Sequence, residues 1–157
     1  LPEQLPSRIE FETISEIPLS VIAPVGVSNF AEELQKEKPD WSNIPFIVPE
    51  SGTARERANT WFKKMKIKPN IYAQVSGHEA IVSMVGLGCG IGLVPRLVLT
   101  NSPVFDSIDV LTLDLEIESH REQTSKLLAD IEIGLCVLKR RMNEPLIEAV
   151  WHSVVEA

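Results

Sequence analysis

The sequence contains little cysteine and no long apolar run. Its two cysteines, Cys89 and Cys136, are too few for a disulfide framework, and such scarcity is typical of a reducing compartment. No apolar stretch is long enough to cross a bilayer. The first residues, LPEQLPSRIEFE, lack the basic flank and apolar core of a secretion signal. We therefore expect a cytoplasmic location, no membrane partner and, since residue 1 is Leu, a fragment of a longer protein.

Positive charge is also scarce. Fifteen Lys and Arg residues stand against 22 Asp and Glu, which gives a formal net charge of −7. Nucleic acids are bound largely by neutralising phosphates, so the chain taken alone is a poor candidate for binding DNA or RNA. Hydrophobic residues make up 44% of the 157 positions, which favours one globular domain or two small lobes over disorder.

Groups suited to catalysis or metal binding are few. The histidines, His78, His120 and His152, lack metal-ligand spacing, and no paired Cys or His motif accompanies them. A thiol–imidazole pair of Cys89 and His78 has no third group to orient it. We expect no metal, no cofactor and no enzymatic activity, although a small α/β enzyme stays open as an alternative.

Glycine is concentrated in MVGLGCGIGLVP, where Gly86, Gly88, Gly90 and Gly92 recur at every second residue. A dinucleotide-binding loop would need a glycine where Ile91 stands, and it would follow a strand and open a helix. Here an apolar, helix-like segment precedes the glycines and a strand-like segment follows them. We therefore predict that Gly88 ends a helix and that Gly90 and Gly92 let a strand pack closely.

Strand-like and helix-like segments alternate through the middle of the chain, which predicts parallel crossovers in an open α/β sheet. The predicted strands are residues 19–24, 45–49, 70–75 and 90–95, and later 108–113 and 131–139. Predicted helices start near Asn29, Thr53, Ser76 and Asn143, with capping boxes at Asn29–Glu32 and Thr53–Glu56, a cap at Asn143 and Pro145 in a first turn. The charged segment 116–130 is expected to be partly helical.

An apolar helix followed by GLGCGIGLVP resembles the second crossover of the effector-binding domain in LysR-type transcriptional regulators. The resemblance continues through KPDWSNIPFIV, NIYAQVSGHEAIVSMV, NSPVFDSIDVL and IGLCVLKRRMNEPLIEAVW, from about Lys38 to the end. Residues 19–24 resemble the first crossover strand. The SGHEA and NEPLIEAVW segments narrow the resemblance to activators of the acetohydroxy acid isomeroreductase gene in branched-chain amino acid synthesis.

The resemblance implies two Rossmann-like lobes of the type II periplasmic-binding-protein kind, joined by two crossover strands. Residues 1–24 and 95–157 would belong to a truncated first regulatory lobe and residues 25–94 to the second. The DNA-binding helix-turn-helix of the family is absent from these residues. The resemblance also implies a homodimer, a tetramer at full length, and DNA contact only through the N-terminal domain. A stand-alone solute-binding protein of the same fold is the alternative.

Helix N-termini that follow strand ends attract anions in open α/β sheets. The resemblance implies a small carboxylate inducer, acetolactate or acetohydroxybutyrate, bound between the lobes. The expected effector-binding residues lie at two such termini: Ser51, Gly52, Thr53, Ser76, Gly77 and His78. The serines and the threonine could instead be plain helix caps, and His78 could simply hydrogen-bond at the helix start. Glu79 favours the helix dipole. Arg55 could pair with the ligand carboxylate, although an exposed helix face is expected for it.

Overall fold

The computed structural model describes residues 5–26, 28–111 and 130–157. In chain order the strands are β1 (Ile9–Ile17), β2 (Leu19–Pro24), β3 (Pro45–Pro49), β4 (Asn70–Val75), β5 (Ile91–Pro95), β6 (Ile108–Leu111) and β7 (Ile131–Leu138). The helices are α1 (Ala31–Leu34), α2 (Thr53–Lys64), α3 (His78–Gly86), α4 (Arg96–Thr100) and α5 (Pro145–Val155). Short 3-10 turns cover Trp41–Asn43, Phe105–Ser107 and Lys139–Arg141. His120 and the helix expected within residues 116–130 lie outside the described residues, apart from Asp130.

The chain divides into two compact units, Leu1–Ile17 with Glu132–Ala157 and Pro18–Ile131. In the smaller unit β1 pairs with β7, and α5 begins with Pro145 in its first turn, as predicted. None of the described residues of this unit is buried, and Leu146 in the first turn of α5 is 77% exposed.

The larger unit contains a five-stranded sheet in the order β4-β3-β5-β2-β6. Strand β3 pairs in parallel with both β4 and β5. Strand β2 pairs antiparallel with β5 and β6. Helix α2 connects β3 to β4 and α3 connects β4 to β5, so the predicted parallel crossovers are confirmed.

Strand alternation sends side chains of β3 to both faces of this sheet, and each face carries one core. Phe46 and Val48 face α2, and Ile47 faces α3. The α2 face buries Leu19, Val21, Ala23, Phe30, Ile44, Phe46, Val48, Ala54, Ala58, Trp61, Phe62, Ile67, Ile91 and Leu93. The α3 face buries Ile22, Ile47, Ile81, Val82, Val85, Val94, Leu99 and Ile108. Trp61 and Phe62 are therefore core residues.

The predicted helix caps are wrong. Helix α1 is preceded by Phe30 and α5 by Glu144, and neither helix has a side-chain cap. Helix α2 has Gly52 at its N-cap, so Thr53 lies inside the helix and forms no capping box. The reason at α2 is that the chain turns at Gly52 with a φ of 87°, and the helix begins only after this turn.

The glycines of MVGLGCGIGLVP serve the backbone, as predicted. After α3, Gly88 has a φ of 82°, and its amide donates to the carbonyl of Val85 while that of Cys89 donates to the carbonyl of Met84. These two bonds form a Schellman motif, which ends the helix at a left-handed residue. A β-carbon on Gly90 would lie 2.5 Å from the carbonyl oxygen of Pro45, so this strand passes tightly against the start of β3.

The C-terminus of α2 has the same motif with lysine in place of glycine. Lys66 has a φ of 54° and its amide donates to the carbonyl of Lys63, while the amide of Ile67 donates to the carbonyl of Phe62. Ile67 and Phe62 are both buried in the core on the α2 face, which is the apolar contact that accompanies this motif. The exposed Lys66 is thus held in a left-handed conformation by the packing of its neighbour Ile67 against Phe62.

Replacing Gly90 by Ala should destabilise the protein by at least about 2 kcal/mol, because backbone must move to admit the methyl group. Gly86→Ala is the matched control: its β-carbon would lie 3.6 Å from Val104 and Ile108, an ordinary contact. Since Gly86 is helical, that variant should gain up to about 1 kcal/mol. Urea unfolding measures both values, and equal losses in the two variants would contradict the close-packing interpretation.

Replacing Lys66 by Gly should raise the free energy of unfolding by about 1 kcal/mol, because glycine adopts the left-handed conformation without a steric penalty. Lys63→Gly in the last turn of α2 should instead lower it by about 0.5 to 1 kcal/mol. Thermal unfolding of both variants tests whether their free energies of unfolding change in opposite directions. A Lys66→Gly variant that is less stable than the original protein would refute the steric penalty assigned to Lys66.

Candidate functional site

The two predicted groups of site residues meet at one edge of the five-stranded sheet. Strands β3 and β4 run parallel and end together, with Pro49 paired to Val75. The amide of Glu50 donates to the carbonyl of Val75 at 2.9 Å, which extends the pairing one residue beyond β3. Adjacent strands lie about 4.8 Å apart. The turns 50–52 and 76–77 are therefore neighbours, and each leads directly into a helix.

Both helices begin with free backbone donors. Gly52 and Gly77 are the N-caps of α2 and α3, with φ values of 87° and 88°, and neither helix has a side-chain cap. The first-turn N–H groups of a helix have no partner inside it, and they carry the positive end of the helix dipole. A β-carbon on either glycine would meet nothing within 4 Å, so both turns face open space. This edge thus combines two uncapped N-termini.

The hydroxyl groups at these turns are available to a ligand. Ser51, Thr53 and Ser76 are exposed. None of the three side chains forms a hydrogen bond with another residue in the described part of the chain. The alternative that they act as helix caps is therefore wrong.

Burial disfavours the charged form of His78, the first residue of α3. Its Nδ1 atom is inaccessible to solvent and has no hydrogen-bond partner among residues 5–26, 28–111 and 130–157. Burial lowers the pKa of His78 below its ordinary value of 6.5, and the negative charge of neighbouring Glu79 opposes this shift with a smaller effect. At neutral pH the ring can accept or donate a hydrogen bond, but it supplies no charge to an anion.

The Arg55 side chain forms three hydrogen bonds that its sequence pattern did not predict. Its Nη1 donates to the carbonyl of Pro49 and to Oε1 of Gln74, and its Nε donates to Oδ1 of Asn59, each at 3.0 Å. Arg55 is partly exposed, and its guanidinium joins α2 to the ends of two strands. A cation in a first turn opposes the helix dipole, and this was the one sequence signal that Arg55 needs local partners.

Other chemistry finds no support at this edge. Cys89 follows the C-terminus of α3 while His78 begins it, so the length of the nine-residue helix, about 12 Å, separates the two ends. They cannot form a nucleophilic pair. Across the described residues, no group of three or more His, Cys, Asp or Glu side chains could hold a metal ion. No helix within those same ranges has the length and apolar character to cross a membrane.

Comparison with known sequences gives one consistent family. A family model described as the LysR substrate binding domain matches residues 1–157. The HTH-type transcriptional regulator IlvY of Escherichia coli (strain K12) is 43% identical over 151 residues, which are 96% of this chain and 48% of that protein. The transcriptional activator IlvY of Haemophilus influenzae is 43% identical over 152 residues, with the same two shares. The chain spans about half the length of these curated relatives, which are named as regulators and not as enzymes.

Solved structures agree at the level of the fold. The effector-binding domain of QuiR in complex with shikimate has a TM-score of 0.66 and 20% identity, covering 95% of this chain and 65% of that chain. The cofactor-binding domain of the Cbl transcriptional regulator has a TM-score of 0.70 and 15% identity, covering 97% and 61%. Identities this low show the fold alone, and they confirm the predicted α/β class of the type II periplasmic-binding-protein kind.

The depressed pKa of His78 predicts that the protein loses stability as the pH falls from above 6.5 through the lower pKa of the folded state. In that interval the unfolded chain binds a proton that the folded chain resists. His78→Asn should lose less stability over the same interval. Urea unfolding of both proteins at about pH 7.5 and about pH 5.5 measures the difference. Identical pH dependence in the two proteins would contradict the burial of the imidazole.

Proposed function

This chain belongs to the family of LysR substrate-binding domains, and we propose that it is the inducer-sensing domain of a transcriptional activator controlling isoleucine and valine biosynthesis. The observation that carries the proposal is the 43% identity to IlvY across 96% of the chain. Identity at that level is about twice what the chain shares with the QuiR domain, whose likeness extends to the fold only.

We propose that the effector is acetolactate or acetohydroxybutyrate, both small hydroxy-keto carboxylates. Two uncapped helix N-termini at one sheet edge suit the carboxylate. Its oxygens accept hydrogen bonds from the first-turn N–H groups of α2 and α3. The unpaired hydroxyls of Ser51, Thr53 and Ser76 suit the ligand's remaining oxygens, and neutral His78 adds a hydrogen bond. Gly52 and Gly77 leave the backbone open to close approach. The QuiR domain was solved with shikimate, another hydroxy carboxylate, which supports this ligand class.

In the full-length protein, we propose, residues 1–24 and 95–157 belong to the first regulatory lobe and residues 25–94 to the second. Strands β2 and β5, the proposed crossovers, pair antiparallel from Leu19–Pro95 to Ile22–Gly92, which suits a chain that leaves one lobe and returns. Effector binding between the lobes favours one arrangement of lobes and subunits. The oligomer, a homodimer or tetramer, then presents N-terminal helix-turn-helix domains differently to DNA in the cytoplasm.

Calorimetric titration with acetolactate tests the site. Thr53→Val should weaken binding by about tenfold, because a hydrogen bond to a charged ligand contributes about 1.5 kcal/mol or more. Thr60→Val on the same helix is the matched control, since the Thr60 hydroxyl donates to the carbonyl of Glu56 and lies two turns from the edge. That variant should bind acetolactate like the original protein.

Three results would count against the proposal. No heat with acetolactate at millimolar concentration would overturn the ligand assignment, and equal loss in the two threonine variants would overturn the site. The longer reading frame separates regulator from solute-binding protein: a helix-turn-helix encoded before Leu1 supports the regulator, and a secretion signal there contradicts it.

A further inference from the structure

We propose that Arg55 is a positioning residue for the effector site, holding the N-terminus of α2 at a fixed place beside the ends of β3 and β4. This role presupposes the proposed function, since it concerns the two helix termini that bind the carboxylate. Arg55 is the third residue of α2, so its backbone belongs to the same turn whose N–H groups face the open edge. Movement of this residue moves those donors.

The contacts of Arg55 reach three different elements. The carbonyl of Pro49 is the last one in β3, and Gln74 is the penultimate residue of β4. The third contact, with Asn59, stays within α2 one turn away. Only the first two contacts connect the helix to the sheet. Because a guanidinium is planar and rigid, one Nη1 atom bonded to both strand ends fixes the helix relative to each of them.

The two contacts of Arg55 with the strand ends matter because α2 and α3 leave the sheet on opposite faces. Their first turns meet only where β3 and β4 end, and the side chains of the two helices pack into separate cores. A carboxylate that accepts from both termini needs a constant separation between Gly52 and Gly77. The β3–β4 pairing fixes the α3 side of this separation, and Arg55 fixes the α2 side. Small errors in such placement reduce binding strongly.

The location of the charge also favours a role at this site. A cation in the first turn opposes the dipole of α2, and all three acceptors of Arg55 are uncharged oxygens. In the described residues the guanidinium forms no ion pair. Its positive charge therefore remains available to attract an anion to the edge without touching it, and helix stability alone does not explain an arginine there.

The test compares three single variants and one double variant in the complete effector-binding protein, under conditions where circular dichroism shows that each is folded. Arg55→Met removes both contacts with the strands, whereas Gln74→Met removes only the bond to β4 and leaves the bond to the carbonyl of Pro49. Arg55→Met should weaken acetolactate binding by about threefold to tenfold, and Gln74→Met should weaken it by a smaller factor that still exceeds about twofold. Asn59→Ala removes only the contact within α2 and should change affinity by less than about twofold. The double variant Arg55→Met with Gln74→Met should bind no worse than Arg55→Met, because Arg55→Met already removes the hydrogen bond to Gln74.

A second measurement separates positioning from a general loss of stability. In ¹H–¹⁵N spectra, the amide signals of Gly52 and Gly77 should shift or broaden in Arg55→Met and Gln74→Met, and stay in place in Asn59→Ala. Unchanged glycine signals, or equal affinity in all three variants and the original protein, would overturn the role of Arg55. Failure of the original protein to bind acetolactate would instead remove the proposed ligand.

Discussion

The parallel pairing of β3 with β4 and β5 is the constraint on which the rest of the larger unit depends. A strand with parallel neighbours on both sides requires crossovers that return the chain to the same end, and α2 and α3 are those crossovers. Phe46 and Val48 then face one helix and Ile47 the other, so each helix gains its own core. The same pairing brings the ends of β3 and β4 to one edge, where two helices begin.

Close packing at β5 follows from that arrangement. The strand that returns from α3 must lie beside β3 while α3 covers it, so neither Gly90, which directly precedes β5, nor Gly92 within it can have a side chain. Gly90 lies against the backbone of Pro45, and Gly92 lies under Ile81, to which a β-carbon would come within 2.6 Å. The glycines therefore allow the sheet to close around β3. They supply no phosphate loop, and the order of helix, glycine and strand in the sequence predicts this.

Sequence reasoning located the strand ends and helix starts at the proposed site but misjudged how the polar residues there are used. Thr53 and Asn143 have the residue type and spacing of caps, yet the chain turns at neighbouring residues and the helices begin without them. Local patterns fail here because a cap depends on the φ and ψ of one residue, and that geometry follows from how the preceding strand enters the turn.

By itself, the sequence determined the element types, the parallel order and the end of α3 at Gly88, since hydrophobic periodicity and glycine placement act over short stretches of chain. Three features needed the folded chain: within the described residues the hydroxyls of Ser51 and Ser76 have no partner, burial lowers the pKa of His78, and Arg55 is hydrogen-bonded to strand ends. These features depend on long-range neighbours: Arg55 and Gln74 are separated by 19 positions and meet only because β3 and β4 are paired. A hydrogen bond across such a separation leaves no period in the sequence.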